Sequence, residues 1–375
     1  MAGKTKPYLA GLSFLLAAPL TACVHSAEDL PRPAVVCTSP DLGAPIGFTA
    51  ALYFVTSRLA DCTGPEPRFG RHRAKGSRFG YFPGPPDEAA PVLASQAAWL
   101  EGVRAHLAGS DGRVLLYVHG YNTSFDEASE RAGRIAARAG FGGPVILFSW
   151  PSHGRVGRYT WDEENALWTQ PHFDALLGRL LAEALVREVV VVAHSMGNRI
   201  ALRSIAQLDR AKPELAGPKI RTIVLAAPDV DRAIFERDFL PSIARRGRST
   251  TVYVSRLDRP LRGSWAVHGY VRAGDSGCDF LDVRRGRDRR RCFLSRRPPP
   301  APPNIEVVET SLVSRSVLGH SDFVDSEAVA TDLCRVLNGE RVFHEREEAG
   351  APLAHVSFVI VNEGAPPCPD PQRTQ

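Results

Sequence analysis

A serine stands in this sequence between a predicted strand and a predicted helix. Residues 189–192 are four valines, which predict a strand buried on both faces of a parallel sheet. After Ser195 apolar side chains recur at helical spacing, at Ile200, Leu202, Ile205 and Leu208. Such a tight strand-to-helix turn lifts a serine hydroxyl to the positive end of a helix, and Ala193 and Gly197 are small enough for the close crossing. The pattern therefore predicts that Ser195 is a nucleophile rather than an ordinary loop serine.

A nucleophilic serine needs a base and an acid, and candidates follow it along the chain. Asp258 comes directly after a predicted strand at 250–256, and His320 lies in the loop after a predicted last strand at 305–310. The order serine, acid, histidine is one in which catalytic triads occur. We expect Ser195 to attack a carbonyl, His320 to carry its proton and Asp258 to orient the imidazole.

Two other carboxylates are alternatives for the acid. Asp229 and Asp231 follow a predicted strand that begins near Ile220. Their simpler interpretation is that they cap the next helix, because a helical run follows Val230. Both residues stay open as acids at this point.

An acyl-transfer site also needs donors for an oxyanion. One is the amide after the nucleophile, here that of Met196, and the other comes from a glycine turn after an earlier strand. The turn beginning at His119 and Gly120 makes the amide of Tyr121 or Asn122 the second donor. For His119 itself we expect a turn residue satisfied by local hydrogen bonds.

Six short motifs give the chain a resemblance to the α/β-hydrolase superfamily, and more narrowly to a bacterial family of esterase-like α/β-hydrolases. They are Val118-His119-Gly120-Tyr121-Asn122, Phe148-Ser149-Trp150-Pro151-Ser152, Tyr159-Thr160-Trp161-Asp162, Ala193-His194-Ser195-Met196-Gly197-Asn198, Ser255-Arg256-Leu257-Asp258-Arg259 and Gly319-His320-Ser321. The resemblance covers roughly residues 50 to 340. It implies a mostly parallel central sheet with helices on both faces, and a serine esterase activity. The chain departs from the pattern in Leu257, where a polar residue is common, and in an arginine-rich insertion before His320.

The amino terminus predicts export. Lys4 and Lys6 precede a mainly apolar run at 8–20, which is short for a membrane span and typical of a secretory signal. The following Leu-Thr-Ala-Cys resembles a bacterial lipobox, in which Cys23 becomes the lipidated first residue; a plain signal peptide with an incidental cysteine is the alternative. Val24 favours an outer-membrane lipoprotein that faces the periplasm, held by its acyl chains.

The remaining cysteines fit an oxidising compartment. Without Cys23 an even set of six is left, and the sequence cannot fix their pairing. We expect bridges between Cys278 and Cys292, Cys37 and Cys62, and Cys334 and Cys368. Their scatter lacks the close paired spacing of a zinc site, so we expect no metal and no cofactor.

The length and the hydrophobic content of 44% fit one enzyme domain with additions. The predicted segments are a lipoprotein signal peptide at 1–22, a Pro-rich tether at 23–48, an α/β-hydrolase domain at 49–340 with an Arg/Pro-rich insertion at about 263–303, and a C-terminal extension at 341–375. Within this extension, residues 356–361 are predicted to add an edge strand. Predicted strands alternate with helices and lie near 51–57, 113–119, 144–150, 188–194, 220–226, 250–256 and 305–310. The stretch from Cys62 to Pro91 is predicted to be a long loop around a short strand.

The net charge of +5 is concentrated in one place, since eight arginines lie between Arg284 and Arg297. No nucleic-acid motif or interleaved aromatic residues accompany them, so we expect no nucleic-acid partner. Contact with anionic envelope lipid or polysaccharide is one interpretation, and a solvated basic insertion is the simpler one.

Two functions follow from these observations. The first is a serine hydrolase of the cell envelope that cleaves carboxylic ester or thioester bonds through an acyl-enzyme on Ser195. The second is a non-catalytic or peptidase-like lipoprotein that uses the same fold for binding. The intact order of Ser195, Asp258 and His320 favours the enzyme.

Overall fold

The fold is built around one large sheet. The computed structural model describes residues 50–211, 219–276, 302–314, 319–340, 346–348 and 357–361. Its eleven described strands are β1 (Leu52–Asp61), β2 (Arg68–Phe82), β3 (Val92–Ala94), β4 (Arg113–Val118), β5 (Val145–Ser149), β6 (Glu188–His194), β7 (Ile220–Ala226), β8 (Ser249–Val254), β9 (Ile305–Glu309), β10 (Arg346–Glu348) and β11 (Phe358–Ile360). They lie in the order β10-β11-β9-β8-β7-β6-β4-β5-β1-β2-β3. The strands from β11 to β1 in this order pair in parallel, whereas β2, β3 and β10 are antiparallel to their neighbours.

Helices connect the parallel strands. The described ones are α1 (Gln96–Ala108), α2 (Phe125–Ala139), α3 (Tyr159–Trp168), α4 (Gln170–Ala182), α5 (Gly197–Ala211), α6 (Arg232–Ile234), α7 (Leu240–Arg246), α8 (Arg259–His268), α9 (Asp322–Asp325) and α10 (Glu327–Leu337). A π-helical turn, Phe235–Phe239, joins α6 to α7. Among the described residues no helix is both long and apolar enough to cross a membrane.

The core has two layers, one on each face of the sheet. In β6, Val189 and Val191 belong to the layer that includes apolar side chains of α1, α4 and α5, while Val190 and Val192 belong to the layer with α2 and α10. Because β6 is covered on both faces, each successive side chain points into an apolar layer, which explains its run of valines. The predicted mostly parallel sheet with helices on both faces is confirmed.

All seven strands predicted from apolar runs are present, but the prediction for residues 62–91 is wrong. The 15-residue β2 occupies most of this stretch and pairs along β1. Its many exposed positions gave it the composition of a loop, because β2 lies near the margin of the sheet. Gly80 is part of its packing, since a Cβ there would clash with the ring of Phe54.

The sheet also extends past the boundary predicted at residue 340. β11 pairs with β9 on one side and with β10 on the other, so it lies one strand in from the edge. Residues of the predicted extension therefore complete the sheet on this side.

Candidate active site

Ser195 occupies the turn between β6 and α5. Its φ is 51°, a left-handed conformation that is uncommon for a residue with a side chain, and its amide donates to Ala226 O at 2.9 Å. Gly197 is required in this turn, because a Cβ there would clash with the backbone of Val118 and His119. Backbone strain of this kind is concentrated at functional sites, and the geometry is that of a nucleophile elbow.

The predicted acid and base lie in direct contact. His320 Nδ1 and Asp258 Oδ2 are 2.6 Å apart, and Asp258 is 1% exposed. The other carboxylate oxygen, Oδ1, accepts from Leu261 N at 2.8 Å and so caps α8. Because each oxygen has its own partner, the carboxylate is fixed in orientation, and it fixes the Nδ1–H tautomer of the imidazole. His320 Nε2 is left as the nitrogen that can accept a proton.

The charges of this pair support a basic imidazole. Burial lowers the pKa of His320, but the charge of Asp258 and the hydrogen bond to it outweigh burial, so the pKa of His320 is raised above 6.5. Burial raises the pKa of the Asp258 carboxyl, and the bond to His320 opposes that rise. The Ser195 hydroxyl makes no hydrogen bond to any residue that the structure describes. His320 nevertheless lies beside the nucleophile turn, since His194 Nε2 is 3.0 Å from its carbonyl oxygen.

The predicted oxyanion turn lies against the nucleophile. A Cβ added to Gly120 would be 2.7 Å from Ser195 Cβ, so only glycine fits there without displacement. Asn122 is wrong as a donor, because its amide donates to Asp162 Oδ2 at 3.1 Å. The amides of Tyr121 and Met196 have no acceptor in the described part of the chain, which leaves them as the candidate donors.

A buried carboxylate for which the sequence predicts no role, that of Asp162, holds this turn. Asp162, on α3, accepts from the Asn122 amide, from Ser152 Oγ at 2.6 Å and from His153 N at 2.7 Å. Burial raises its pKa, and these three bonds act in the other direction. The oxyanion turn is therefore tied to α3 and to the loop after β5.

His119 is the satisfied turn residue that the sequence predicts. It is fully buried, its Nδ1 donates to Gly120 O at 2.9 Å, and its Nε2 accepts from Trp150 N at 3.1 Å. Burial and the nearby Arg58 lower its pKa well below the usual value. Its ring stacks on that of Trp150, with ring centroids 5.0 Å apart. The neutral imidazole therefore serves as a packing element.

The two alternative acids separate into different roles. Asp231 caps α6 through Ile234 N at 3.1 Å, as predicted. Asp229 caps none of the helices that the structure describes, and this part of the prediction is wrong. Instead it is 2% exposed and bonded to Tyr159 and Ser264, with Arg199 at 3.5 Å and Arg272 at 3.4 Å.

We call the group formed by Asp229, Arg199, Arg272, Tyr159 and Ser264 the Asp229 cluster. Burial would raise the pKa of Asp229, but Arg199 and the other partners outweigh it, so the pKa is lowered and the carboxylate stays charged. The cluster adjoins the nucleophile, since Asp229 N donates to Ser195 O at 3.2 Å. No local motif could have revealed it, because its members come from separate elements of the chain.

Several predicted residues lie outside the described part of the chain. They are Cys23, Cys37, Cys278, Cys292, Cys368 and the arginines between Arg284 and Arg297. Cys62 and Cys334 are both disulfide-bonded, while the predicted pairings stay predictions. Within the described residues no group of three or more His, Cys, Asp or Glu side chains could hold a metal ion.

Comparisons with known proteins identify a family to which the chain belongs. The model of a family described as "Alpha/beta hydrolase of unknown function (DUF900)" matches residues 95–341. The chain is 22% identical over 225 residues to the uncharacterized protein alr1448 of Nostoc sp. (strain PCC 7120), a match covering 52% of this chain and 59% of that protein, so the chain spans less than two thirds of the relative's length. Among solved structures, a predicted CIB-like hydrolase from Thermoplasma acidophilum shares 13% identity over 70% of this chain and 93% of its own, with a TM-score of 0.31.

Proposed function

Because the chain belongs to the α/β-hydrolase family DUF900, we propose that it is a serine hydrolase that cleaves carboxylic ester or thioester bonds through an acyl-enzyme on Ser195. The observation that carries the proposal is the 2.6 Å contact of His320 Nδ1 with a carboxylate fixed by its own helix, beside a serine in a strained turn. A purely structural role would need neither the strain at Ser195 nor an imidazole that is held by a buried carboxylate and keeps its other nitrogen without a partner among the described residues.

The residues divide the reaction between them. Ser195 Oγ attacks the carbonyl carbon while His320 Nε2 takes its proton, and Asp258 stabilises the resulting imidazolium. The amides of Met196 and Tyr121 donate to the oxyanion, at the N-terminal end of α5. The imidazolium then protonates the leaving alcohol or thiol, and the acyl group remains on Ser195. A water molecule, deprotonated by His320, attacks the acyl-enzyme and releases the carboxylic acid. Catalytic hydrogen bonds often tighten only when substrate binds, so a Ser195 hydroxyl without a hydrogen-bond partner among the described residues is compatible with this sequence of steps.

The cellular setting is part of the proposal and rests on the sequence alone. The lipobox-like residues before Cys23 support a lipid-anchored protein of the cell envelope, at the outer membrane and facing the periplasm. An ester or acyl substrate is then a component that reaches this compartment. The disulfide bonds of Cys62 and Cys334 are compatible with it.

A fluorophosphonate probe tests the nucleophile, and nitrophenyl esters of increasing acyl length test the reaction. We expect one labelled site, Ser195, and no label in Ser195→Ala. Ser129→Ala is the matched control, because Ser129 is an equally buried serine whose hydroxyl bonds to Phe125 O. Labelling of Ser129→Ala should equal that of the parent protein. A folded parent protein that takes no label and turns over no ester would refute the proposal and favour a binding role.

The two central residues should act as a unit. We expect Ser195→Ala and His320→Ala each to lower kcat by about 10⁶-fold, and the double variant to lose no more than either alone. Turnover retained in His320→Ala would remove that residue from the mechanism.

A further inference from the structure

His194 is a buried histidine that none of these steps uses. It is the last residue of β6, directly before Ser195, and is 2% exposed. Its ring lies between two side chains of the segment that carries the base, 4.8 Å from the His320 ring and 4.7 Å from the Phe323 ring. It therefore links β6, the strand that leads to the nucleophile, to residues 319–323, which carry the base and are called the base segment here.

One hydrogen bond fixes the state of this imidazole. His194 Nε2 is 3.0 Å from His320 O, and since a carbonyl oxygen only accepts, Nε2 carries the proton. Burial, and after it the charge of His320, lower the pKa of His194 well below its usual value. His194 consequently stays neutral when His320 becomes an imidazolium, and the bond persists through the reaction.

The other ring nitrogen of His194, Nδ1, indicates that the hydrogen bond from Nε2 to His320 O is the reason for a histidine at this position. His194 Nδ1 is buried and has no hydrogen-bond partner among the described residues. An unpaired buried acceptor is unfavourable, and a phenylalanine would fill the same space without one. Compared with a phenylalanine ring, the imidazole therefore supplies one additional group that its described surroundings use, the Nε2–H donor.

We propose that His194 is a positioning residue that sets the place of the His320 imidazole relative to Ser195. The base segment is held in place by three contacts, one at Gly319 and two at His320 itself. Gly319, with a φ of 64°, lies so close to the backbone of Leu257 that an added Cβ would be 2.9 Å from Leu257 O. Asp258 holds Nδ1 of His320, and His194 holds its carbonyl oxygen. Since His194 and Ser195 are adjacent in the chain, the third contact ties the base to the strand that carries the nucleophile.

This inference rests on the proposed function, and two variants of His194 test it. His194→Phe keeps a ring but removes the donor, whereas His194→Gln can place an amide N–H close to the position of Nε2. We expect kcat on a nitrophenyl ester to fall about 10²-fold in His194→Phe with KM little changed, because a misplacement near 1 Å costs about that factor. His194→Gln should recover most of the loss.

The pH profile separates positioning from general damage. Burial lowers the pKa of His320, Asp258 and Asp229 raise it, and Arg131 lowers it, so looser contact with Asp258 lets that pKa fall. The acidic limb of kcat/KM should therefore move to lower pH in His194→Phe and return in His194→Gln. His106→Phe is the matched control, since His106 on α1 also has a buried, unpartnered Nδ1. That variant should keep the parent kcat and pH profile.

A proton NMR measurement keeps the test independent of turnover. The proton shared by His320 Nδ1 and Asp258 should give a far-downfield signal that broadens by exchange in His194→Phe and not in His106→Phe. Parent-like kcat, pH profile and proton signal in His194→Phe would overturn the proposal, as would equal losses in the Phe and Gln variants. If the parent protein hydrolyses no ester, the proposed function fails, and the NMR comparison still decides whether His194 positions His320.

Discussion

Replacing Gly120 with alanine should disable the oxyanion turn while leaving the protein folded. The new Cβ would lie 2.7 Å from Ser195 Cβ, 2.9 Å from His194 Nδ1 and 3.1 Å from His194 O. Ordinary van der Waals contact begins at 3.4 Å, so the nearest contact is short by 0.7 Å. None of these three atoms is the far end of a flexible side chain, and the turn itself must therefore move.

The size of the effect follows from that displacement. A shift of about 0.7 Å carries the neighbouring Tyr121 amide away from the oxyanion, and misplacement near 1 Å costs about 10²-fold in rate. Loss of an oxyanion donor costs about 10²- to 10³-fold in kcat. We therefore expect Gly120→Ala to lower kcat by about 10²-fold with little change in KM. Overpacking should lower the free energy of unfolding by about 1–3 kcal/mol.

Steady-state turnover of a nitrophenyl ester and urea unfolding measure the two quantities. Gly263→Ala on α8 is the matched control, because no described atom outside its own helix backbone and chain neighbours lies within 4 Å of a Cβ there. It should keep kcat and gain about 0.5–1 kcal/mol from the better helix propensity of alanine. If the kcat of Gly120→Ala stays within about threefold of the parent value, the assignment of this turn to the oxyanion site is refuted.

The remaining predictions concern the carboxylates and the base. Asp258→Asn should lower kcat by about 10⁴-fold, because the amide no longer fixes the required tautomer of His320. Asp229→Asn should instead lower the free energy of unfolding in urea by about 3–5 kcal/mol, because it removes the carboxylate that faces the buried Arg272 and the half-buried Arg199, and a loss of turnover at unchanged stability would contradict this. Asp231→Ala should cost about 1 kcal/mol of unfolding free energy through loss of the cap on Ile234 N, with kcat unchanged. In the parent protein kcat/KM should fall as the pH drops through a pKa above 6.5, since only neutral His320 accepts a proton; an acidic limb below that value would contradict the Asp258 contact.

The parallel strands and the candidate triad could be predicted from the sequence for one reason. Buried strands appear as continuous apolar runs, and the carboxyl ends of parallel strands meet at one edge of the sheet. Ser195, Asp258 and His320 each follow such a run, so their proximity follows from topology. The strand β2 was missed because a marginal strand keeps many polar, exposed positions.

Burial of charge could not be predicted. Arg58 is 1% exposed, and its guanidinium donates to Thr123 O at 2.7 Å, Ser149 Oγ at 2.9 Å and Ser152 O at 3.0 Å. The residues next to Arg58 in the sequence do not indicate that oxygen atoms far along the chain will accept hydrogen bonds from its guanidinium. The same holds for Asp229, whose helix-cap interpretation was reasonable locally and wrong in the folded protein.

The order of the strands decides when the site comes into being during folding. Its groups follow β4, β6, β8 and β9, which are separated by long stretches of chain but lie within five consecutive positions of the sheet. Parallel strands pair only after the chain between them has crossed over, and closing such long loops is slow compared with forming a helix. Helices such as α2, which has its own capping box, need only local contacts to begin. Any activity carried by Ser195 is consequently a late signal of refolding, and it reports assembly of the whole central sheet rather than of any one segment.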